Sequence, residues 1–245
     1  MRRFRWLLIF PGLLVVALLG FVVWTQTPLG PEPEAAEALQ SSVDLEVIEN
    51  GWWAFVPRDS TPSAGLVLYP GGRVDWRSYA PVARAIAIEG ILVVLAPMPF
   101  NLAVFSPGAA EEIIRAYPKI TSWSVGGHSL GGAMAANFVY QNSGEVKGLV
   151  LWASYPAEAN DLSQTPVAVL SLYGSEDGLA TLDKIEASRP LLPQDAIFTV
   201  IEGGNHAQFG SYGEQPGDGN ALISATDQRE IIVQATVEFI KGLEE

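Results

Sequence analysis

Gly126-Gly127-His128-Ser129-Leu130-Gly131-Gly132 decides how this chain is read. Thr121-Ser122-Trp123-Ser124-Val125 precedes it, short and rich in strand formers. Ala133-Met134-Ala135-Ala136-Asn137-Phe138-Val139 follows it with the composition of a helix. G-x-S-x-G therefore falls on a sharp strand-to-helix turn, where a serine projects its hydroxyl above the carboxyl end of a sheet. Gly127 and Gly131 lack a Cβ, which lets helix and strand approach closely. Leu130 opens the helix, so its N–H points at whatever Ser129 attacks. Ser129 is thus a candidate nucleophile, and the alternative is a helix-capping serine.

Strands and helices alternate on both sides of this turn. Residues 45–48 and 52–56 flank Glu49-Asn50-Gly51, a strong hairpin signal. Residues 64–69 form a third strand that ends at Pro70-Gly71-Gly72. Tyr79, Val82, Ala83, Ile86 and Ala87 recur at helical spacing. Residues 91–95 are continuously apolar, as a strand buried on both faces requires. Ser106-Pro107 reads as a helix cap followed by a first-turn proline, with Ala110, Ile113, Ile114 and Tyr117 as the inward stripe. Strands at 148–152, 167–173 and 197–201 follow, then a closing helix capped by Ser224-x-x-Asp227. A hairpin and then alternating strands and helices predict an α/β fold, a mostly parallel twisted sheet covered on both faces. Ligands bind such sheets beyond the carboxyl ends of the strands.

A serine hydroxyl needs a base within reach, and the base needs an orienting carboxylate. The chain has two histidines. His128 sits beside Ser129 on the corner, so its side chain diverges from the nucleophile and packs or hydrogen-bonds within the turn. His206 follows a strand in the glycine-rich loop Glu202-Gly203-Gly204-Asn205-His206 and is the predicted base. In Tyr173-Gly174-Ser175-Glu176-Asp177-Gly178, Asp177 is the predicted acid, with Glu176 as the alternative and Asp183 too remote. The order Ser, Asp, His belongs to one fold among the common triad enzymes. A second oxyanion donor is expected from Tyr69-Pro70-Gly71-Gly72-Arg73: the Gly72 N–H, or alternatively Arg73. Only 14 residues, 153 to 166, separate two successive strands, too few for a cap domain. The open rim is expected to draw substrate-binding residues from Arg73, Phe100, Phe105, Trp152, Tyr155, Phe209 and Tyr212.

The elbow, the acid turn at Asp177 and the histidine loop at His206 stand in the order found in α/β-hydrolases. Residues 44–243 resemble that superfamily, and more closely the compact bacterial group similar to dienelactone hydrolases. The resemblance implies an α/β-hydrolase fold. It also implies acyl transfer from a small ester or thioester to water through a covalent acyl-enzyme, with no metal and no organic cofactor. Two departures stand out. Pro70-Gly71 replaces the His-Gly of many members, and Ser129 replaces the cysteine of dienelactone hydrolases, so their lactone substrate does not carry over. A catalytically silent binding module of the same fold, and transfer to an acceptor other than water, are the competing functional classes.

Composition sets the remaining bounds. Net charge is −13, and Arg2, Arg3 and Arg5 mask part of the imbalance, which disfavours a nucleic-acid partner. No cysteine is present, so disulfides, thiolate nucleophiles and lipidated cysteines are excluded. Two histidines and no cysteine cannot build the usual catalytic metal sites. Residues 6–24 carry no charge and, as a helix, would span about 28 Å, close to one bilayer core. With the arginines retained in the cytoplasm, residues 1–26 are read as a single-pass signal anchor that leaves the catalytic domain on the extracytoplasmic side. A cleaved secretory signal is the alternative. Residues 27–43, rich in Pro, Glu and Ala, are expected to be a tether that does not pack, and residues 44–245 the catalytic domain.

Overall fold

The computed structural model describes residues 2–244, with side chains from Gly12 onward. An eight-stranded sheet organises it: β1 Leu45–Glu49, β2 Trp53–Pro57, β3 Ala64–Tyr69, β4 Leu92–Leu95, β5 Ser122–His128, β6 Gly148–Trp152, β7 Ala168–Gly174 and β8 Ile197–Ile201. Their spatial order is β1-β2-β4-β3-β5-β6-β7-β8. β1 pairs antiparallel with β2, and β2 with β4; every other pairing is parallel. This is the predicted mixed, mostly parallel sheet. The hairpin turns at Asn50-Gly51 as its sequence predicts, with Gly51 in the left-handed region at φ 74°.

Alternation along the central strands divides the core in two. Leu66, Leu68, Val93, Leu95, Val150, Trp152 and Leu172 face one cluster. Helices α3 (Ala80–Ile88) and α6 (Ala225–Gly242) cover it with Val82, Ala83, Ile86, Ile232, Val237 and Ile240. Val67, Tyr69, Val94, Val125, Leu149 and Leu151 face the other. Helices α4 (Ala109–Ala116) and α5 (Leu130–Gln141) cover that face with Ile113, Ala135, Phe138 and Val139. Strands buried on both sides need no polar face, which is why their sequences read as unbroken apolar runs. The 153–167 connection between β6 and β7 holds no helix, so no cap covers the carboxyl ends there.

Helix α4 corrects one expectation. It begins at Ala109 with Gly108 as its cap, not at Ser106-Pro107. The Tyr69 hydroxyl takes the capping part: it accepts from the Ala110 N–H at 2.8 Å and donates to the Pro107 carbonyl at 2.9 Å. A buried donor and acceptor at the end of β3 satisfy the helix start better than a local serine.

The expected tether, residues 27–43, is also corrected: it packs. It contains a short helix, α2 (Pro33–Ala38), whose Ala35 and Ala38 are buried. Glu34 bonds Arg229 at 2.7 Å and the Ser211 hydroxyl at 2.5 Å. Leu29 bridges Val74. Before it, α1 spans Arg2–Thr25. Among the described residues no helix is long and apolar enough to cross a membrane. The expected span, residues 6–24, begins in residues 6–11, whose side chains lie outside the described ones.

Candidate active site

β5 runs three residues further than its sequence suggests and ends at His128, so the corner falls on Ser129 itself. Ser129 has φ 52° and ψ −121°, a conformation rarely adopted by a residue with a side chain. The surroundings enforce it. A Cβ on Gly127 would lie 2.5 Å from the Gly131 carbonyl carbon, and one on Gly131 would overlap the Tyr69 and Pro70 carbonyl oxygens. The Ser129 N–H donates to the Trp152 carbonyl at 2.9 Å, and the Ser154 hydroxyl donates to the Ser129 carbonyl at 2.6 Å. The strained residue is therefore fixed from both sides, at the N-cap position just before α5.

Register brings the other two residues to the same end of the sheet. His128 pairs with Trp152, Trp152 with Leu172, and Gly174 with Ile201, so β5, β7 and β8 finish together. The loop after β7 carries Asp177 and the loop after β8 carries His206. His206 Nδ1 lies 2.8 Å from Asp177 Oδ2, and both side chains are shut off from solvent. Asp177 Oδ1 accepts from the Leu179 and Ala180 N–H groups at 2.8 and 2.7 Å. These two bonds fix the direction in which the carboxylate points. Glu176, the alternative acid, instead accepts from the Ser175 hydroxyl at 3.0 Å.

The second imidazole nitrogen, His206 Nε2, is buried and has no hydrogen-bond partner among the described residues. His206 shares a cavity of about 270 Å³ with Ser129, Leu130, Ala153, Tyr155 and Leu179. Among the described residues no hydrogen bond joins Ser129 to His206; in catalytic pairs such contacts often tighten only when substrate binds.

The two candidate amides of the Pro70–Arg73 turn differ in their hydrogen bonding. Gly71 N–H donates to the Tyr79 hydroxyl at 3.0 Å, and Arg73 N–H donates to the Asn101 carbonyl at 2.8 Å. Among the described residues the Gly72 N–H alone in this turn has no protein acceptor. Leu130 N–H, at the start of α5, is one of the donors a helix leaves without an intrahelical partner. Gly72 and Leu130 adjoin: a Cβ on Gly72 would sit 3.0 Å from Leu130 Cδ2.

His128 turns into the core, away from Ser129, but its partner lies outside the turn. Nδ1 is 2.7 Å from the Tyr79 hydroxyl, and its ring stacks on Phe209 at 5.6 Å and lies 4.4 Å from that of His206. Complete burial, reinforced by the neighbouring His206, pulls its pKa well below the usual histidine value, so it stays neutral. Burial pushes the Tyr79 hydroxyl well up. The two form a neutral relay from the floor of the site to the Gly71 amide.

Several expected rim residues are core instead. Trp152 is fully buried and its Nε1–H donates to the Thr236 hydroxyl at 3.3 Å. Phe209 is buried against His128, and Tyr212 is buried with its hydroxyl on Gln215. Tyr155 does line the cavity. Phe100 is exposed but packs on Phe21 and Phe105, away from the Ser129 cavity. Arg73 lines a second cavity. Asp218 escaped the sequence reading. Its carboxylate accepts from the N–H groups of Gly178, His206, Ala207 and Gly219 at 2.8–3.2 Å, tying the acid loop to the histidine loop. The only signal was an aspartate between two glycines, Gly217-Asp218-Gly219.

A family model described as alpha/beta hydrolase family matches residues 65–230. No curated protein matches the chain in sequence. Solved structures do match in fold. The esterase domain of a Rhodothermus marinus protein aligns with 80% of this chain and 96% of its own at 13% identity, TM-score 0.59. Est1E from Butyrivibrio proteoclasticus aligns over 82% and 98% at 11% identity, TM-score 0.58. A predicted CIB-like hydrolase from Thermoplasma acidophilum aligns over 83% and 100% at 18% identity, TM-score 0.55.

Proposed function

Because the chain belongs to the alpha/beta hydrolase family, we propose that it is a serine hydrolase of small carboxylic esters or thioesters, working through Ser129, His206 and Asp177. The observation that carries this is the buried 2.8 Å Asp177–His206 pair, which shares one cavity with a serine held at φ 52°. In the reaction, His206 Nε2 takes the hydroxyl proton as Ser129 Oγ attacks the ester carbonyl. Asp177 holds the Nδ1–H tautomer and balances the charge that develops on the ring. The Leu130 and Gly72 N–H groups bind the oxyanion, each contributing on the order of 10²–10³ in rate. His206 returns the proton to the departing alcohol. Water, activated by the same nitrogen, then releases the acid and restores Ser129. The names of two fold neighbours, an esterase domain and Est1E, agree with this substrate class.

Ser129→Ala should lower turnover of a short nitrophenyl ester by on the order of 10⁴–10⁶ and abolish labelling by a fluorophosphonate probe. Equal turnover by the variant would end the assignment. Labelling of the unmodified protein also excludes the silent-module reading, since only an activated serine reacts.

We further propose that α1 anchors the enzyme in a membrane, with the catalytic domain on the extracytoplasmic side. Uncharged residues 6–24 behind three arginines support this. So do Leu13, Leu14, Val15, Val16, Leu18, Leu19, Val22 and Val23, which stand 42–66% exposed on several sides of the helix. Membrane fractionation of the expressed chain, resistant to carbonate extraction, is the expected result; release into the soluble fraction would refute it.

A further inference from the structure

The Gly72 turn is held from an unexpected quarter. Arg73 Nε donates to the Trp24 carbonyl at 2.9 Å and Nη2 to the Thr27 carbonyl at 2.7 Å, while its guanidinium lies 4.4 Å from the centre of the Trp24 ring. Leu29 N–H donates to the Arg73 carbonyl at 2.8 Å, and Asp75 N–H to the Leu29 carbonyl at 3.0 Å. Asn101, which accepts from Arg73 N–H, donates its side-chain amide to the Thr25 carbonyl at 2.9 Å. The end of α1 and the residues after it are therefore bound directly to the turn that supplies the second oxyanion donor.

Between them lies a cavity of about 390 Å³ lined by Trp24, Leu29, Gly72, Arg73, Leu102, Gln215 and Pro216. Gly72 stands between this space and the Ser129 cavity. Its Cβ position is 3.0 Å from Leu130, which lines the Ser129 cavity, and 3.7 Å from Leu102, which lines the second. An ester carbonyl held by Gly72 and Leu130 has two arms that diverge, and there is a cavity on each side. The second is predominantly apolar. Its one cation, Arg73, has Nε and Nη2 committed to main-chain carbonyls and its face to an aromatic ring, the pattern of a structural arginine rather than an anion trap.

We infer that this second cavity binds an apolar arm of the substrate, so that the physiological ester is extended and uncharged on that side and Trp24 is a specificity residue. The inference rests on the serine-hydrolase reading. Apolar pockets discriminate by about tenfold or more per methylene. The test uses the full chain in non-ionic detergent with two substrate series. One varies the acyl group of nitrophenyl esters from acetate to octanoate. The other varies the alcohol of acetate esters from methyl to octyl. Trp24→Ala removes the indole while leaving the Trp24 carbonyl for Arg73, and Leu102→Trp fills the cavity.

Both variants should lower the long-arm to short-arm ratio of kcat/KM by tenfold or more in one series and leave the ratio in the other within twofold. The responding series identifies the arm. Unchanged ratios in both series, or equal losses for short and long arms, would overturn the inference. So would a loss confined to nitrophenyl hemisuccinate, assayed beside the butyrate ester of similar length, which would make the cavity an anion site. Failure of the underlying reading looks different: the unmodified protein would then not be labelled by fluorophosphonate at all.

Discussion

Replacing Asp177 separates what the carboxylate does for the fold from what it does for the chemistry. It accepts three hydrogen bonds, from His206 Nδ1 and from the amides of Leu179 and Ala180. Asn in its place keeps one oxygen for the two amides but turns an N–H₂ toward Nδ1. Two donors then face each other, and the imidazole relieves the clash by moving its proton to Nε2. That nitrogen, buried and unpartnered in the native protein, can then no longer accept the Ser129 proton. Shape and most bonds survive, so Asp177→Asn should cost about 1 kcal/mol of stability and on the order of 10⁴ in kcat. Asp177→Ala strands all three donors in a buried place, at about 1–3 kcal/mol each. That is a large share of the roughly 5–15 kcal/mol holding a typical domain together. Urea unfolding and turnover of a short nitrophenyl ester, measured on both variants, give the contrast. An Asn variant that is folded yet turns over within tenfold of the native protein would refute the assignment of His206 as base and Asp177 as its orienting group.

Asp218→Ala frees four main-chain donors in three stretches of chain and should cost about 2 kcal/mol in urea unfolding and lower kcat with it; Asp218→Asn should recover part of both. Gly131→Ala puts a methyl on the Tyr69 and Pro70 carbonyls. Backbone cannot yield as a side chain does, so a loss of about 3 kcal/mol or more in urea unfolding is expected. His128 contributes a pH dependence. Burial holds it neutral in the folded protein, while the unfolded chain regains a proton near the ordinary value of about 6.5. The unfolded state thus binds more protons below that pH. Stability is complete above about 6.5 and falls by up to about 1.4 kcal/mol per pH unit beneath it. Melting curves of the native protein and His128→Asn between pH 7.5 and 5 should diverge on the acid side; parallel curves would count against the neutral relay.

The proposed triad is legible because Ser129, Asp177 and His206 each sit on a short linear signal at a strand end. A corner that needs glycines advertises itself in sequence, and with two histidines one candidate remained once His128 was turned aside. The choice between Asp177 and Glu176 was different in kind. Adjacent residues in a turn point in different directions, and only the bonds to Leu179 and Ala180 fix which carboxylate faces the imidazole. The same limit hid Asp218, whose four partners come from three separate stretches of chain.

The rim failed for a deeper reason, and the failure bears on how the site is built. Trp152 and Phe209 lie close in sequence to strand ends, where a side chain faces either the substrate or the core. Periodicity does not distinguish the two, and here both face inward, Phe209 as a wall against His128. Residues 27–43 read by composition as a loose tether, yet they pack against the domain. Prolines and glutamates in 27–43 suggested an extended, solvated chain, yet two small apolar residues, Ala35 and Ala38, are enough to seat α2, and main-chain bonds of Leu29 need no particular side chain at all. Packing through backbone and alanine leaves almost no hydrophobic pattern. A protein whose Pro70–Arg73 turn is held by such a segment looks, in sequence, as though its folded domain begins at residue 44, and removing the preceding residues would take away the bonds that position Arg73 and, next to it, the Gly72 amide.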